Sequence, residues 1–162
     1  TEVGQNQIWT ARCWEFQKDT SFLTSGGLGT MGYGLPAAVG AKITAQNRMV
    51  VAVEGDGSFQ MSLPELATIA ANHLDIKILL LKNGRLGMVN ELQRQKGYRQ
   101  FSVILDGSPD FCKLAAAYGI PSESVSCNSG LEAAYGRMLR AEGTYLLELA
   151  VEPDQPTIGG LT

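Results

Sequence analysis

Two runs of apolar residues constrain this chain more than anything else in it. Val50-Val51-Ala52-Val53 leads directly into Glu54-Gly55-Asp56-Gly57-Ser58, and Ile76-Lys77-Ile78-Leu79-Leu80-Leu81 leads into Lys82-Asn83-Gly84-Arg85. Short apolar runs closed by turn residues read as strands buried on both faces. The helix-length segment between them makes the pair parallel. Each strand then delivers one short oxygen-bearing side chain, Asp56 or Asn83, to its carboxyl end. In open α/β sheets that edge is where ligands bind. A carboxylate beside an amide oxygen suits a hard divalent cation such as Mg²⁺, which keeps one or two protein side chains and fills its shell with phosphate and water.

The rest of the chain alternates in the same way. Helical spacing or start signals mark residues 5–14, 35–43, 62–70, 86–95, 108–118 and 129–140. Ser62-Leu63-Pro64-Glu65 and Ser129-Gly130-Leu131-Glu132 read as capping boxes. Further strands are predicted at Phe22-Leu23-Thr24, around Val125, and from Thr144 to Val151. Lys96 to Gly107 reads as a surface loop, and Pro153 to Thr162 as a tail. Strands alternating with helices predict an α/β fold of three layers, a mostly parallel sheet with helices on both faces. Val3-Gly4-Gln5 reads as the end of a strand already in progress. Residues 1–162 are therefore expected to be one domain of a longer, multidomain protein.

Bulk properties exclude several classes. A net charge of −3 leaves no basic footprint for nucleic acid or an anionic membrane, and no apolar run approaches a membrane span. Cys13, Cys112 and Cys127 are odd in number and unpatterned, which predicts buried thiols in a reducing, cytoplasmic setting rather than disulfides or zinc. His73 reads as a surface residue, Trp9 and Trp14 as packing residues, and Glu91 to Arg99 as a solvated face.

Glycine is the outlier, with 19 residues. Ser25-Gly26-Gly27-Leu28-Gly29-Thr30-Met31-Gly32-Tyr33-Gly34 is a loop that few side chains could occupy. Gly27, Gly29 and Gly32 spell G-x-G-x-x-G between a predicted strand and a helix, and Glu54 closes the next strand. That layout supports NAD binding as an alternative. It leaves Asp56 and Asn83 unexplained, whereas a metal–diphosphate site uses both. Asp56-Gly57 and Asn83-Gly84 are also common turn dipeptides, and either alone reads as a turn. Both at the ends of adjacent strands, beside a glycine-rich loop, favour a diphosphate site.

These residues resemble a known family. Val3-Gly4-Gln5, the stretch Thr24 to Ala38, Gly55-Asp56-Gly57-Ser58-Phe59, and Asn83 with Gly87-Met88-Val89 are similar to the C-terminal, cofactor-binding domain of thiamine diphosphate enzymes. Within them the chain resembles the catalytic subunit of acetolactate synthase, from Thr1 to about Pro153. The resemblance implies the thiamine diphosphate-binding fold and a Mg²⁺ site made by Asp56, Asn83 and the backbone carbonyl of Arg85. It implies a diphosphate held by Gly57, Ser58 and Gln5, and backbone carbonyls near Val3 and Gly29 that face the aminopyrimidine. Met31 would wedge under the thiazolium, and Met61 and Met88 would line the pocket; core packing is the plainer reading of all three methionines.

The implied reaction decarboxylates pyruvate and condenses the two-carbon unit with a second 2-keto acid, a step of branched-chain amino acid biosynthesis. The activating carboxylate would come from a pyrimidine-binding domain across a subunit interface. FAD, in flavoprotein members, sits on a middle domain. A homodimer or homotetramer and a regulatory subunit are implied partners, and this chain alone is expected to be inactive. Three positions depart from the pattern: Lys82 for an asparagine, Asn6 for a histidine, and Leu92 for a tryptophan. They leave another thiamine diphosphate-dependent 2-keto acid decarboxylase or carboligase open.

Overall fold

A computed structural model describes residues 1–17 and 21–157. Four strands form one sheet: β1 (Val50–Gly55), β2 (Ile76–Lys82), β3 (Ser122–Val125) and β4 (Tyr145–Ala150). Their order is β1-β2-β4-β3 and every pairing is parallel. Seven α-helices are described: α1 (Gln5–Cys13), α2 (Gly34–Thr44), α3 (Asp56–Phe59), α4 (Glu65–Ala71), α5 (Gly87–Gln95), α6 (Phe111–Ala117) and α7 (Leu131–Arg140). β1 and β2 run in step, with Val50 opposite Ile76 and Gly55 opposite Leu81. The chain therefore leaves both strands at one level, which puts Asp56 and Asn83 on the same edge.

Strand periodicity divides the core in two. Ile76, Ile78, Leu80 and Leu146 face Leu35, Ala38 and Val39 of α2, Leu66 and Ile69 of α4, and Phe111 and Ala115 of α6. On the other face Leu147 packs with Ala134 and Met138 of α7. Each large apolar side chain buried this completely contributes about 1.5–3 kcal/mol. Lys77 interrupts the apolar run of β2 and is only 2% exposed. Its ammonium is paired with Asp75 and donates to the carbonyls of Ala141 and Gly143, just past the end of α7. A helix carboxyl end favours a cation there.

Several expectations are corrected. Phe22-Leu23-Thr24 is not a strand: Thr1 N reaches the Leu23 carbonyl and Gln7 the Thr24 hydroxyl, but no ladder forms among the described residues, and Phe22 packs edge-on against Phe16 at 5.1 Å. Neither capping box forms. α4 begins at Glu65 after a turn through Pro64, and Ser62 Oγ is buried with no hydrogen-bond partner. A 3₁₀ turn at Asn128–Gly130 precedes α7, whose N-cap is Gly130. Asp110 caps α6, accepting the Lys113 N–H at 3.0 Å. Cys13 and Cys127 are exposed rather than buried, because both lie on surface turns or helix ends. Within the predicted loop, Val103 is buried and its carbonyl accepts the Leu86 N–H at 2.8 Å.

The predicted tail is also corrected over residues 153–157, which are strapped onto the body; 158–162 lie outside the described residues. Glu91, predicted to be solvated, is only 7% exposed and receives that strap. Its carboxylate accepts the Thr157 N–H at 2.9 and 3.0 Å and the Thr157 hydroxyl at 2.7 Å. Arg85 and Arg94 both reach Asp154, at 2.7 and 2.6 Å. Among the described residues, no helix is long and apolar enough to cross a membrane.

Candidate functional site

Two concavities flank β1. The larger, about 480 Å³, runs along its outer edge between Trp14, Phe22 and the alanines of α2, and it gathers none of the candidate metal ligands. The other, about 430 Å³, opens at the carboxyl ends of β1 and β2. Val3, Gln5, Gly29 and Met31 form one wall, and Asp56, Gly57, Ser58, Asn83, Arg85 and Met88 the other. The site residues expected from the sequence thus meet around one cavity, except Met61. That side chain is 57% exposed and packs behind the loop, 3.3 Å from where a Cβ on Gly32 would lie.

Asp56 opens α3, and its side chain is 1% exposed. Oδ1 accepts the Gly57 N–H at 3.1 Å and Oδ2 accepts the Gly84 N–H at 2.7 Å. Burial pushes its carboxyl above the usual value, while those N–H groups and the Lys82 charge pull the other way. Asn83 Oδ1 accepts the Arg85 N–H at 3.0 Å, and its amide donates to Gln5 Oε1 at 3.1 Å. Gln5 donates in turn to Glu91 at 2.9 Å and to the Gln155 carbonyl at 3.1 Å.

A carboxylate carries about four acceptor positions, and an amide oxygen two. Asp56 and Asn83 therefore retain capacity after these bonds, and both are hard oxygen donors. No group of three or more His, Cys, Asp or Glu able to hold a metal exists among the described residues. A cation here would draw the rest of its shell from ligand oxygens and water, which is how Mg²⁺ binds beside phosphate. The residues present fit Mg²⁺ with a diphosphate.

Two glycines let these walls close. A Cβ on Gly87 would lie 2.1 Å from Gln5 Oε1 and 2.6 Å from Asn83 Nδ2. A Cβ on Gly57 would lie 2.5 Å from Leu86 Cδ2.

Acidic residues stand behind the glycine loop. Glu2 is fully buried, and its carboxylate accepts N–H groups from Val3 at 2.7 Å, Gly32 at 3.0 Å and Gly34 at 2.9 Å. Glu54 is also fully buried, and both its carboxylate oxygens lack a hydrogen-bond partner. Burial first, and Glu2 second, push its carboxyl well above the usual range. Glu54 does not line the cavity, so it is not placed to meet a ribose as the dinucleotide alternative requires. Nor, among the described residues, does a strand directly precede the G-x-G-x-x-G stretch.

The departures from the family pattern have structural places. Lys82 turns away from the cavity towards Glu148 at 3.4 Å and the Phe111 ring at 5.5 Å. Asn6 is buried and donates to the carbonyls of Glu2 at 2.9 Å and Val53 at 3.4 Å. Leu92 is 42% exposed and stands outside the cavity wall. Residues the sequence did not single out also line the cavity, notably Leu86, Glu152 and Gln155. The glycine opposite Leu86 is the one local signal that could have pointed to it.

Comparison with known proteins gives one consistent result. A family model described as "Thiamine pyrophosphate enzyme, C-terminal TPP binding domain" matches residues 2–149. The chain is 44% identical to the acetolactate synthase isozyme 2 large subunit of Escherichia coli (strain K12), over 94% of this chain and 28% of that protein. It is 42% identical to a probable acetolactate synthase large subunit of Methanococcus aeolicus, over 94% of this chain and 26% of that protein. It is 39% identical to the mitochondrial acetolactate synthase catalytic subunit of Saccharomyces cerevisiae, over 98% of this chain and 23% of that protein. The chain thus spans about a quarter of the length of these curated relatives.

Proposed function

This chain belongs to the thiamine pyrophosphate enzymes, as their C-terminal TPP-binding domain, and from that premise we propose that it holds the diphosphate end of the cofactor through Mg²⁺ in an acetolactate synthase-like enzyme. The observation that carries the reading is the meeting of Asp56 and Asn83, from two strands in step, at one cavity edge. Asp56, Asn83 Oδ1 and the Arg85 carbonyl hold the cation. Gly57, Ser58 and Gln5 hold the diphosphate, an anion that the local backbone N–H groups favour. Val3 and Gly29 face the aminopyrimidine, and Met31 and Met88 supply apolar walls. Met61 stands outside the wall and backs the glycine loop at Gly32.

Thiamine diphosphate, when bound, supplies the electron sink that decarboxylation of a 2-keto acid requires. The protein's share is to fix the cofactor's shape and keep water from the reacting face. The whole enzyme decarboxylates pyruvate and joins the two-carbon unit to a second 2-keto acid. The carboxylate that activates the aminopyrimidine comes from a pyrimidine-binding domain of another subunit, in a homodimer or homotetramer. A middle domain, FAD on it, and a regulatory subunit complete the assembly. Three free cysteines fit a reducing compartment such as the cytoplasm.

Calorimetric titration of the full-length enzyme tests this reading. Thiamine diphosphate should bind only with Mg²⁺, and Asp56→Ala should weaken that binding at least about a hundredfold. NAD should not bind. Unchanged affinity in Asp56→Ala would sink the metal assignment.

A further inference from the structure

We infer that Glu2 is a positioning residue, which ties the Val3 wall of the cavity to the glycine loop and so sets where Met31 sits. This rests on the thiamine diphosphate reading, in which Met31 lies against the cofactor. Val3 and Met31 belong to different segments, and one carboxylate bridges them. Glu2 Oε1 takes the Val3 N–H at 2.7 Å, and Oε2 takes the N–H groups of Gly32 at 3.0 Å and Gly34 at 2.9 Å.

The loop needs such a tie. Met31 is flanked by Gly29 and Gly32, with φ of +64° and +87°. Glycine reaches those angles without strain and leaves them as easily, so backbone preference alone does not hold the methionine. Inside the loop, Gly29 N–H reaches the Ser25 carbonyl at 3.1 Å and Thr30 N–H reaches Ser25 Oγ at 3.0 Å. Those bonds hold its shape without fixing its place against the sheet.

Glu2 can fix that place because it is itself fixed. Its N–H donates to the Val53 carbonyl on β1 at 2.9 Å, and its carbonyl accepts from Asn6 Nδ2 at 2.9 Å. Gly34 begins α2, so the carboxylate also sits at a helix amino end, where negative charge is favoured. Three charge-assisted bonds offset the cost of burying it. Gly34 has no Cβ in the way: one would lie 2.8 Å from Glu2 N and 2.9 Å from Glu2 Cα.

The plainer role is a helix cap that adds stability alone, and the test separates the two. Glu2→Gln and Glu2→Ala are made in the full-length enzyme. Amide hydrogen exchange is followed without cofactor, and half-saturation by thiamine diphosphate and by Mg²⁺ is measured on the same samples. The expected result is exchange at Gly32 and Gly34 at least about tenfold faster in Glu2→Ala, with β4 as protected as in wild type. Thiamine diphosphate half-saturation rises about tenfold in Glu2→Ala and less in Glu2→Gln, which keeps one acceptor oxygen. Mg²⁺ half-saturation at saturating cofactor stays put.

Unchanged exchange in the loop overturns the proposal. So does faster exchange with unchanged cofactor half-saturation, which is a cap and no more. Loss of β4 protection in both variants overturns it too, since Glu2 would then hold the fold rather than the loop. A wild-type enzyme that binds no thiamine diphosphate fails the functional reading and takes this proposal with it. The behaviour of wild type therefore tells the two failures apart.

Discussion

Gly34→Ala and Gly40→Ala change the same residue type in the same helix, and the structure requires opposite outcomes. At Gly34 the added Cβ would lie 2.6 Å from Glu54 Oε1, 2.8 Å from Glu2 N and 2.9 Å from Glu2 Cα. The Glu54 carboxylate could turn, but the Glu2 backbone cannot move without stretching its bond to Val53. Overpacking a buried site costs about 1–3 kcal/mol. A weakened backbone hydrogen bond adds about 1 kcal/mol. The sum is about 3 kcal/mol, which for a domain of this size lowers the melting temperature by ~6–12 °C. At Gly40 nothing lies within 4 Å of the new methyl group. There the change only removes glycine's backbone freedom, which stabilises by about 0.5–1 kcal/mol. Thermal unfolding by circular dichroism, with wild type and both variants in parallel, reads the difference. Gly34→Ala within about 0.5 kcal/mol of wild type would refute the close approach of Glu2 to α2.

Two further expectations concern protonation and the C-terminal strap. The Glu54 carboxyl is raised in the folded chain, chiefly by burial, so from its usual value near 4.5 upward the unfolded chain releases a proton that the folded one keeps. Metal-free protein should therefore lose stability as pH rises through that window, by roughly tenfold in the folding equilibrium per pH unit from this group. Glu54→Gln should flatten the trend, and urea midpoints at pH about 5 and 8 that fall in parallel for both proteins would count against it. Asp154→Ala frees Arg85 and Arg94; as these pairs are part-exposed, global stability should change by less than about 1 kcal/mol. Amide exchange at Thr157 should nevertheless quicken severalfold, and an unchanged rate there would mean that Glu91, Gln5 on the Gln155 carbonyl and Arg12 on the Thr157 carbonyl hold the strap without Asp154.

What was readable in the sequence was what repeats or runs. The apolar stretches of β1 and β2 have no rival interpretation, and their turn residues fell on one sheet edge because the strands pair in step. The helix predicted over 108–118 was legible because its start signals and spacing are local, and Asp110 caps it through a bond to Lys113 only three residues on. The misses share the opposite property. Glu91 meets Thr157 across 66 positions, and Gln5 meets Asn83 across 78. No local pattern encodes such partners, so Glu91 looked solvated and residues 153–157 looked loose. α3 is four residues long, too short to show a period. The capping boxes had the right letters, but the turn through Pro64 delayed α4 until Glu65. The G-x-G-x-x-G stretch likewise had the right letters, but Phe22-Leu23-Thr24 before it is not a strand. Glu2 showed no signal at all, since its function lies in three backbone groups rather than in a side-chain motif.

The outer side of β1 has a consequence for handling the molecule. Glu2 donates to Val53 near one end of β1, which leaves half-buried Val50 and Val51 as a sheet margin beside the groove of Trp14, Phe22 and the α2 alanines. Such a margin is a template for any extended chain, including a neighbour's. In a concentrated solution of this chain, self-association should start there, because an unpaired strand margin offers backbone as well as side-chain contacts. A lysine or proline near Val51 would act as a gatekeeper against it. Turbidity on storage would then report on this one strand, while the cavity edge of the sheet stays intact.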